Sequence, residues 1–266
     1  MGSMTRVKNL VVYVLISFSR WIAFLMKRIS YQIYGIVNSP LGLTYNQYCR
    51  LHKYGILVLE NYISPAKCKQ LIDEIEGMIQ LEVLINYAPE DVRIFHSERL
   101  SPDIERFFSD ICLQKIASSY IGLSMVNRGC LANIVHPSSL DIGSGGSWHR
   151  DSNFPQFKTL VYLSDVPDES FGAFQYIPNT HRFSYKFLEA LWGTRQIENT
   201  RWTNDEVHTQ YPSSQTCSVT GEAGTLVLFD TSLLHHGAPN SGPQRQPRYA
   251  LTNYYYLKHL KIGVDY

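Results

Sequence analysis

The sequence predicts a mainly β fold with supporting helices, of the sandwich or jelly-roll kind. Three observations predict it. Short runs rich in β-branched and aromatic residues recur through the second half of the chain. Turn residues separate those runs, and amphipathic helices with clear start signals come before them. The runs are residues 159–163, 173–177, 225–229 and 248–256, the last dense in tyrosine. Between them stand Pro167-Asp168, Pro178-Asn179, Gly221, Gly224 and Pro239-Asn240, all turn formers.

The first half reads as helical support. Residues 54–59 read as a strand. Ser64 caps a helix that Pro65 opens, and Cys68, Leu71, Ile72, Ile75 and Ile79 give it an apolar face. Ser101-Pro102 repeats the device. A single helix is expected through Ile104, Phe107, Phe108, Ile111 and Ile116, closed by Gly122.

At 266 residues, with 44% hydrophobic content, the chain suits one catalytic-sized β domain. Five cysteines, an odd number with no Cys-x-x-Cys, point to a reducing, cytoplasmic setting rather than a disulfide scaffold. No zinc pattern, repeat or nucleic-acid motif is visible, and the C-terminal part is acidic, so nucleic acid is excluded as a partner.

The chemistry-bearing residues lie near position 150. His149, Arg150 and Asp151 follow the glycine-rich run Ser144-Gly145-Gly146-Ser147. On extended backbone, residues two apart share a face, so His149 and Asp151 can hold one ion. A further imidazole is available at His235 or His236, and Arg248 lies 13 residues beyond His235. Two histidines and a carboxylate with open positions form the ligand set of a non-heme Fe(II) oxygenase.

Four segments in this order resemble the phytanoyl-CoA dioxygenase family: Gly145 to Asp151, Lys158 to Val166, Gly172 to His181, and Leu228 through Asn240 to the strand opened by Arg248. The resemblance spans roughly residues 44–257. It implies a double-stranded β-helix, a cupin-like jelly roll, with Fe(II), 2-oxoglutarate as cosubstrate, and O2. It makes His149 and Asp151 the first two iron ligands. The third is His235, which precedes Asn240 by five positions, with His236 as the alternative. Arg248 resembles the 2-oxoglutarate arginine, whose planar fork grips a carboxylate bidentately. Arg245 is its runner-up. Asn133 is either a second cosubstrate contact or a satisfied polar residue at a strand end. His181 reads as a loop residue. Gly237 and Ala238 stand where the family often places a small hydroxyl residue.

The resemblance also implies the reaction. The Asp151 carboxylate fills the site that halide-installing relatives leave free, so hydroxylation of a small-molecule or lipid-linked substrate is expected, with 2-oxoglutarate and O2 going to succinate and CO2. A non-catalytic jelly-roll binding module at a membrane surface is the competing reading. Trp148, Phe154, Phe157, Trp192, Trp202 and Tyr256 are the candidate pocket residues, and residues 182–211 the candidate lid.

Residues 1–43 are set apart from the dioxygenase domain expected over 44–266. The first 59 residues carry seven Lys or Arg and no Asp or Glu, while the remainder holds 17 basic and 23 acidic residues. Residues 10–26 are strongly apolar but interrupted by Arg20. That interruption weakens a spanning helix, and no small-residue cleavage site follows. An amphipathic helix at an anionic membrane surface and a helix docked on the domain are the two main readings.

Overall fold

A computed structural model describes residues 14–15, 18–19, 21–26, 29, 42–80, 85–88, 91–138, 147–151, 156–182, 200–211, 215–241 and 246–259. Its strands are β1 (Ile56–Leu59), β2 (Ile85–Ala88), β3 (Asp91–Ile94), β4 (Met125–Val135), β5 (Gln156–Tyr162), β6 (Phe174–Ile177), β7 (Cys217–Val219), β8 (Leu226–Asp230), β9 (Leu234–Gly237) and β10 (Arg248–Leu257). They form a larger sheet, β1-β8-β5-β10-β4-β3-β2, and a smaller one, β7-β6-β9. Every paired strand runs antiparallel. Two such sheets make the jelly roll that the strand pattern predicts.

The helices are α1 (Tyr45–Tyr54), α2 (Pro65–Gln80), α3 (Pro102–Phe108), α4 (Ile111–Ile121) and α5 (Asn204–Gln210). α1 starts in a capping box formed by Thr44 and Gln47. It ends at Gly55, whose φ of 77° needs a glycine. A Cβ there would also lie 2.5 Å from the His181 ring. The strand expected over 54–59 is therefore shorter, because Tyr54 belongs to the helix and Gly55 to its cap.

The single helix expected from Ser101 to Gly122 is two. Ser109 ends α3, and Asp110 caps α4 by accepting from the Cys112 and Leu113 amides. An Asp that satisfies two helix-start amides costs less as a new cap than as a mid-helix residue. Ile111, placed on the apolar face by the single-helix reading, is exposed.

Strand parity decides which residues reach the interior. Leu226 and Leu228 of β8 face the helical layer, in the core cluster with Leu71, Ile75 and Leu113. Val227 and Phe229 face the smaller sheet, in a cluster with Phe174 and Val219. β10 follows the same rule. Leu251 and Tyr255 pack under the helices, whereas Arg248, Thr252 and Tyr254 line a cavity between the sheets. Register puts Lys158 of β5 opposite Tyr254, and Asn133 of β4 opposite both Ala250 and Arg93. The polar residues of four neighbouring strands thus share one interior wall.

Candidate metal centre

His149 and Asp151 sit on a short connection rather than within a strand ladder. His149 makes isolated bridges to Arg201 and His235. The His149 amide donates to the His235 carbonyl at 2.9 Å, and the His235 amide donates back at 3.0 Å. The Asp151 amide donates to Thr231 O at 3.1 Å. Backbone bonds therefore bring residues 86 apart in sequence onto one point at the start of β9.

There the ligand atoms of His149, Asp151 and His235 all lie within 4.8 Å of one another. His149 Nε2 is 3.6 Å from Asp151 Oδ1, and His235 Nε2 is 3.3 Å from Asp151 Oδ2. The other ring nitrogens are fixed by acceptors. His149 Nδ1 lies 3.0 Å from Ser147 O, and His235 Nδ1 lies 2.7 Å from Leu233 O. A carbonyl can only accept, so each Nδ1 carries the proton and each Nε2 keeps its lone pair for a metal. Asp151 Oδ2 is buried without a hydrogen-bond donor. That orphaned oxygen, beside two nitrogen lone pairs, is the donor set that a divalent ion completes.

Burial alone would raise the Asp151 carboxyl, but the Lys158 ammonium, foremost among its neighbours, holds it well below the usual carboxylate range. Lys158 Nζ is 2.9 Å from Asp151 Oδ1 and 4.3 Å from the centre of the Tyr254 ring. Burial lowers the His235 imidazole, against the pull of Asp151. The neutral imidazole and ionised carboxylate are the protonation states a metal requires.

His236, on the next residue of β9, points its Nε2 at Gln175 Oε1, 2.8 Å away, and its ring rests on Trp148 at 4.1 Å. It borders the cavity but is not one of the three convergent groups. Burial pushes it down to about 4. Arg245 falls outside the described residues.

Arg248 opens β10 and is 4% exposed. Its Nη1 donates to Gly172 O, and its Nη2 to Asn133 Oδ1 at 2.9 Å. Both acceptors are neutral. Its Nε is buried without a partner. Asn133 Nδ2 donates to Asp91 Oδ1, and Arg93 Nε holds Asp91 Oδ2 at 2.9 Å. Asn133 therefore orients Arg248 from behind. It also borders the cavity.

That cavity has a volume of about 130 Å³ and carries His149, Asp151, His235 and Arg248 on its walls. Its apolar surface comes from Leu131, Leu160, Phe174 and Phe229. None of the four described residues among the aromatics proposed for the pocket lines it. Trp148 and Trp202 are buried with Val207, Tyr211, Ile177 and Leu234 in a small core. Phe157 belongs to the helical-side core because odd positions of β5 face the helices, and Tyr256 lines a separate small cavity. Phe154 and Trp192 lie outside the described residues. The lid reading is corrected in part. Residues 200–211 hold α5, and Trp202, Val207 and Tyr211 among them are packed into that small core, with Arg201 bridged to His149. Residues 183–199 are outside the described set.

Residues 51–249 match the family model for phytanoyl-CoA dioxygenase. The chain belongs to the phytanoyl-CoA dioxygenase family. It is an enzyme of the non-heme iron, 2-oxoglutarate-dependent oxygenase class. Among curated proteins, an ectoine dioxygenase of Bordetella parapertussis is 24% identical over 243 residues, covering 79% of this chain and 75% of its own. Among solved structures, HygX from Streptomyces hygroscopicus, with nickel, 2-oxoglutarate and hygromycin B bound, superposes with a TM-score of 0.61 at 16% identity, covering 82% of this chain and 89% of its own. The 2-oxoglutarate-dependent epimerase SnoN from nogalamycin biosynthesis has a TM-score of 0.61 at 13% identity, over 80% of this chain and 81% of its own. These structural likenesses establish the shared fold of this phytanoyl-CoA dioxygenase family member.

Sequence reasoning missed three residues of the site. In sequence Lys158 is only the first residue of the family-like segment 158–166, just outside the expected strand, yet its parity with Leu160 faces it inward. Arg93 lies in a four-residue strand too short to show alternation. Arg150 reads as the variable middle of His-x-Asp. Its buried guanidinium donates to Ser232 O at 2.8 Å and Thr180 O at 3.2 Å and stacks 4.8 Å from Trp202.

Proposed function

We propose that this protein hydroxylates a small-molecule or lipid-linked substrate, with 2-oxoglutarate and O2 converted to succinate and CO2. The observation that carries the proposal is one shared cavity with two incomplete ends. At one, His149, Asp151 and His235 turn free lone pairs and an orphaned carboxylate oxygen toward one point. At the other, the buried Arg248 cation meets only neutral acceptors and has a donor to spare.

His149, Asp151 and His235 are the residues that would hold Fe(II). Bound there, the iron supplies the redox chemistry that activates O2. Arg248, held by Asn133 and Gly172, would receive the distal carboxylate of 2-oxoglutarate through its fork, a charge-assisted pairing that a buried guanidinium favours. Leu131, Leu160, Phe174 and Phe229 would give the reacting centre an apolar wall against which the target carbon could rest. Asp151 and Lys158 keep the local charge balanced before the ion arrives.

The relative named for ectoine and the HygX structure with hygromycin B bound favour the small-molecule form of the substrate. The binding-module alternative has no observation in its favour, because a module needs neither the three convergent ligands nor the buried arginine. In the proposed organisation, residues 44–266 are the dioxygenase domain and residues 1–43 a basic apolar segment at a membrane interface, the enzyme being cytoplasmic and peripheral at that membrane. Succinate release from 2-oxoglutarate, followed across a panel of small polar metabolites and acyl-linked lipids, tests the reading. A substrate raises release above the uncoupled rate. Absence of any iron-dependent release contradicts it.

A further inference from the structure

The N-terminal segment has two opposed faces, and only one of them is used by the domain. Residues 14–15, 18–19, 21–26 and 29 are helical. Ser19 and Ala23, four apart and so on one stripe, meet the end of α4. Ser19 Oγ donates to Ile121 O at 3.1 Å. A Cβ at Gly122 would lie 2.5 Å from Ser19 O and 3.1 Å from Ala23 Cβ, so the contact needs a glycine there. Phe24 sets its ring 5.0 Å from His52 and 6.3 Å from Tyr48 of α1.

The opposite stripe is apolar and bare. Leu15, Phe18, Ile22, Met26 and Ile29 recur at intervals of three and four, with Val14 and Trp21 alongside. All seven are exposed, and Leu15, Phe18, Trp21 and Met26 are each more than half exposed. The Phe18 and Trp21 rings stack on each other, 6.2 Å apart. Such a cluster is too large for a face turned to water. No helix among the described residues is long and apolar enough to cross a membrane.

We propose that this face seats the enzyme on an anionic lipid bilayer, with the helix fixed to the catalytic domain rather than hanging from it as a tether. Charge complementarity selects this occupant. The first 59 residues hold seven Lys or Arg and no acidic residue, whereas the rest of the chain is net acidic. Juxtaposed basic residues draw a protein to anionic headgroups, and a Trp-Phe pair on an apolar stripe suits the headgroup boundary. Docking and membrane contact, alternatives in the sequence reading, are compatible because they use opposite faces. This proposal builds on the peripheral placement given above but on none of the metal-centre residues.

The test is co-sedimentation of the full-length protein with phosphatidylcholine vesicles, with and without phosphatidylserine. Binding to the serine-containing vesicles should be stronger by roughly tenfold at low salt and fall at high salt. Trp21→Glu and Phe18→Glu should each remove most of that binding while leaving Tm and iron-dependent succinate release unchanged. No preference for anionic vesicles, or binding indifferent to both substitutions, overturns the proposal. So does self-association that Trp21→Glu abolishes without any vesicle binding, which would make the face a contact with a second copy. Retention after high salt and alkaline wash also overturns it, in favour of insertion.

Discussion

Asn133 Oδ1 accepts from Arg248 Nη2 at 2.9 Å, across strands whose register leaves the two residues on the same interior wall. The arginine fork is therefore held before a carboxylate reaches it. Asn133 in turn is held by Asp91, so a neutral amide links the Asp91 carboxylate to the Arg248 guanidinium and fixes the orientation of both.

Removing the two residues should have unequal effects. Arg248→Ala deletes the partner of a buried carboxylate, a loss on the order of 2–5 kcal/mol in 2-oxoglutarate affinity. Asn133→Ala removes one hydrogen bond to a charged group, about 1.5–3 kcal/mol at most. The KM for 2-oxoglutarate should rise in both, more in Arg248→Ala, with metal affinity little changed. A larger defect in Asn133→Ala would make the amide, not the guanidinium, the cosubstrate contact.

Lys158 and Asp151 give a different signature. Without metal, the Lys158 ammonium at 2.9 Å is the strongest counter-charge to a buried carboxylate. Lys158→Met strips it away, which should destabilise the metal-free protein by up to about 3 kcal/mol. A divalent ion replaces the lost charge. Metal should therefore raise the Tm of Lys158→Met by more than it raises that of the unmodified chain. An equal or smaller rise counts against this account of the pair.

Arg150 is a positioning residue. It lies between two ligands, and its donors hold Ser232 O and Thr180 O, next to the backbone that carries His235. Arg150→Met keeps the bulk and leaves both carbonyls without that donor. Metal affinity should fall about 10- to 100-fold, as for other residues that orient ligands. Titration with Mn(II) measures it, and Arg150→Lys should recover part of the loss.

Cys68 carries a pH prediction away from the site. Burial pushes its thiol up to about 11, with Asp165 adding to the rise. A group raised on folding stabilises the fold below its unfolded value, and that stability is lost as pH rises through the folded one. Alkaline destabilisation is therefore expected between about pH 9 and 11 and should be smaller in Cys68→Ala. Thiol labelling at neutral pH should reach the exposed Cys112 and spare the buried Cys68 and Cys130.

Much of the fold was legible because period-2 patterns survive in long strands. Residues 159–163, 225–229 and 248–256 fall on β5, β8 and β10 with ends shifted by a few residues. The pairing of His149 with Asp151 was legible from residue type and spacing, whereas the choice of His235 over His236 came from the family resemblance and the convergence is seen in the fold. What was not legible depends on neighbours. Trp148 and Phe157 look like pocket aromatics in one dimension, but register turns them into cores. The break at Ser109-Asp110 follows from a cap that competes with helix continuation over a span where either reading is locally allowed. The docking of Ser19 and Ala23 rests on Gly122, a residue whose role as a helix end hid its role as a contact.

His149, Asp151 and His235 are proposed to hold one iron, on which 2-oxoglutarate binding at Arg248 depends. Anaerobic titration of the metal-free protein with Fe(II), then with 2-oxoglutarate, tests it most directly. One ion per chain and one 2-oxoglutarate per ion are expected. Metal binding should be lost in His149→Ala, Asp151→Ala and His235→Ala and largely kept in His236→Gln, since His236 is engaged by Gln175 rather than by the three ligands. Binding of one ion per chain that survives in all three ligand variants, or that fails only in His236→Gln, would contradict it.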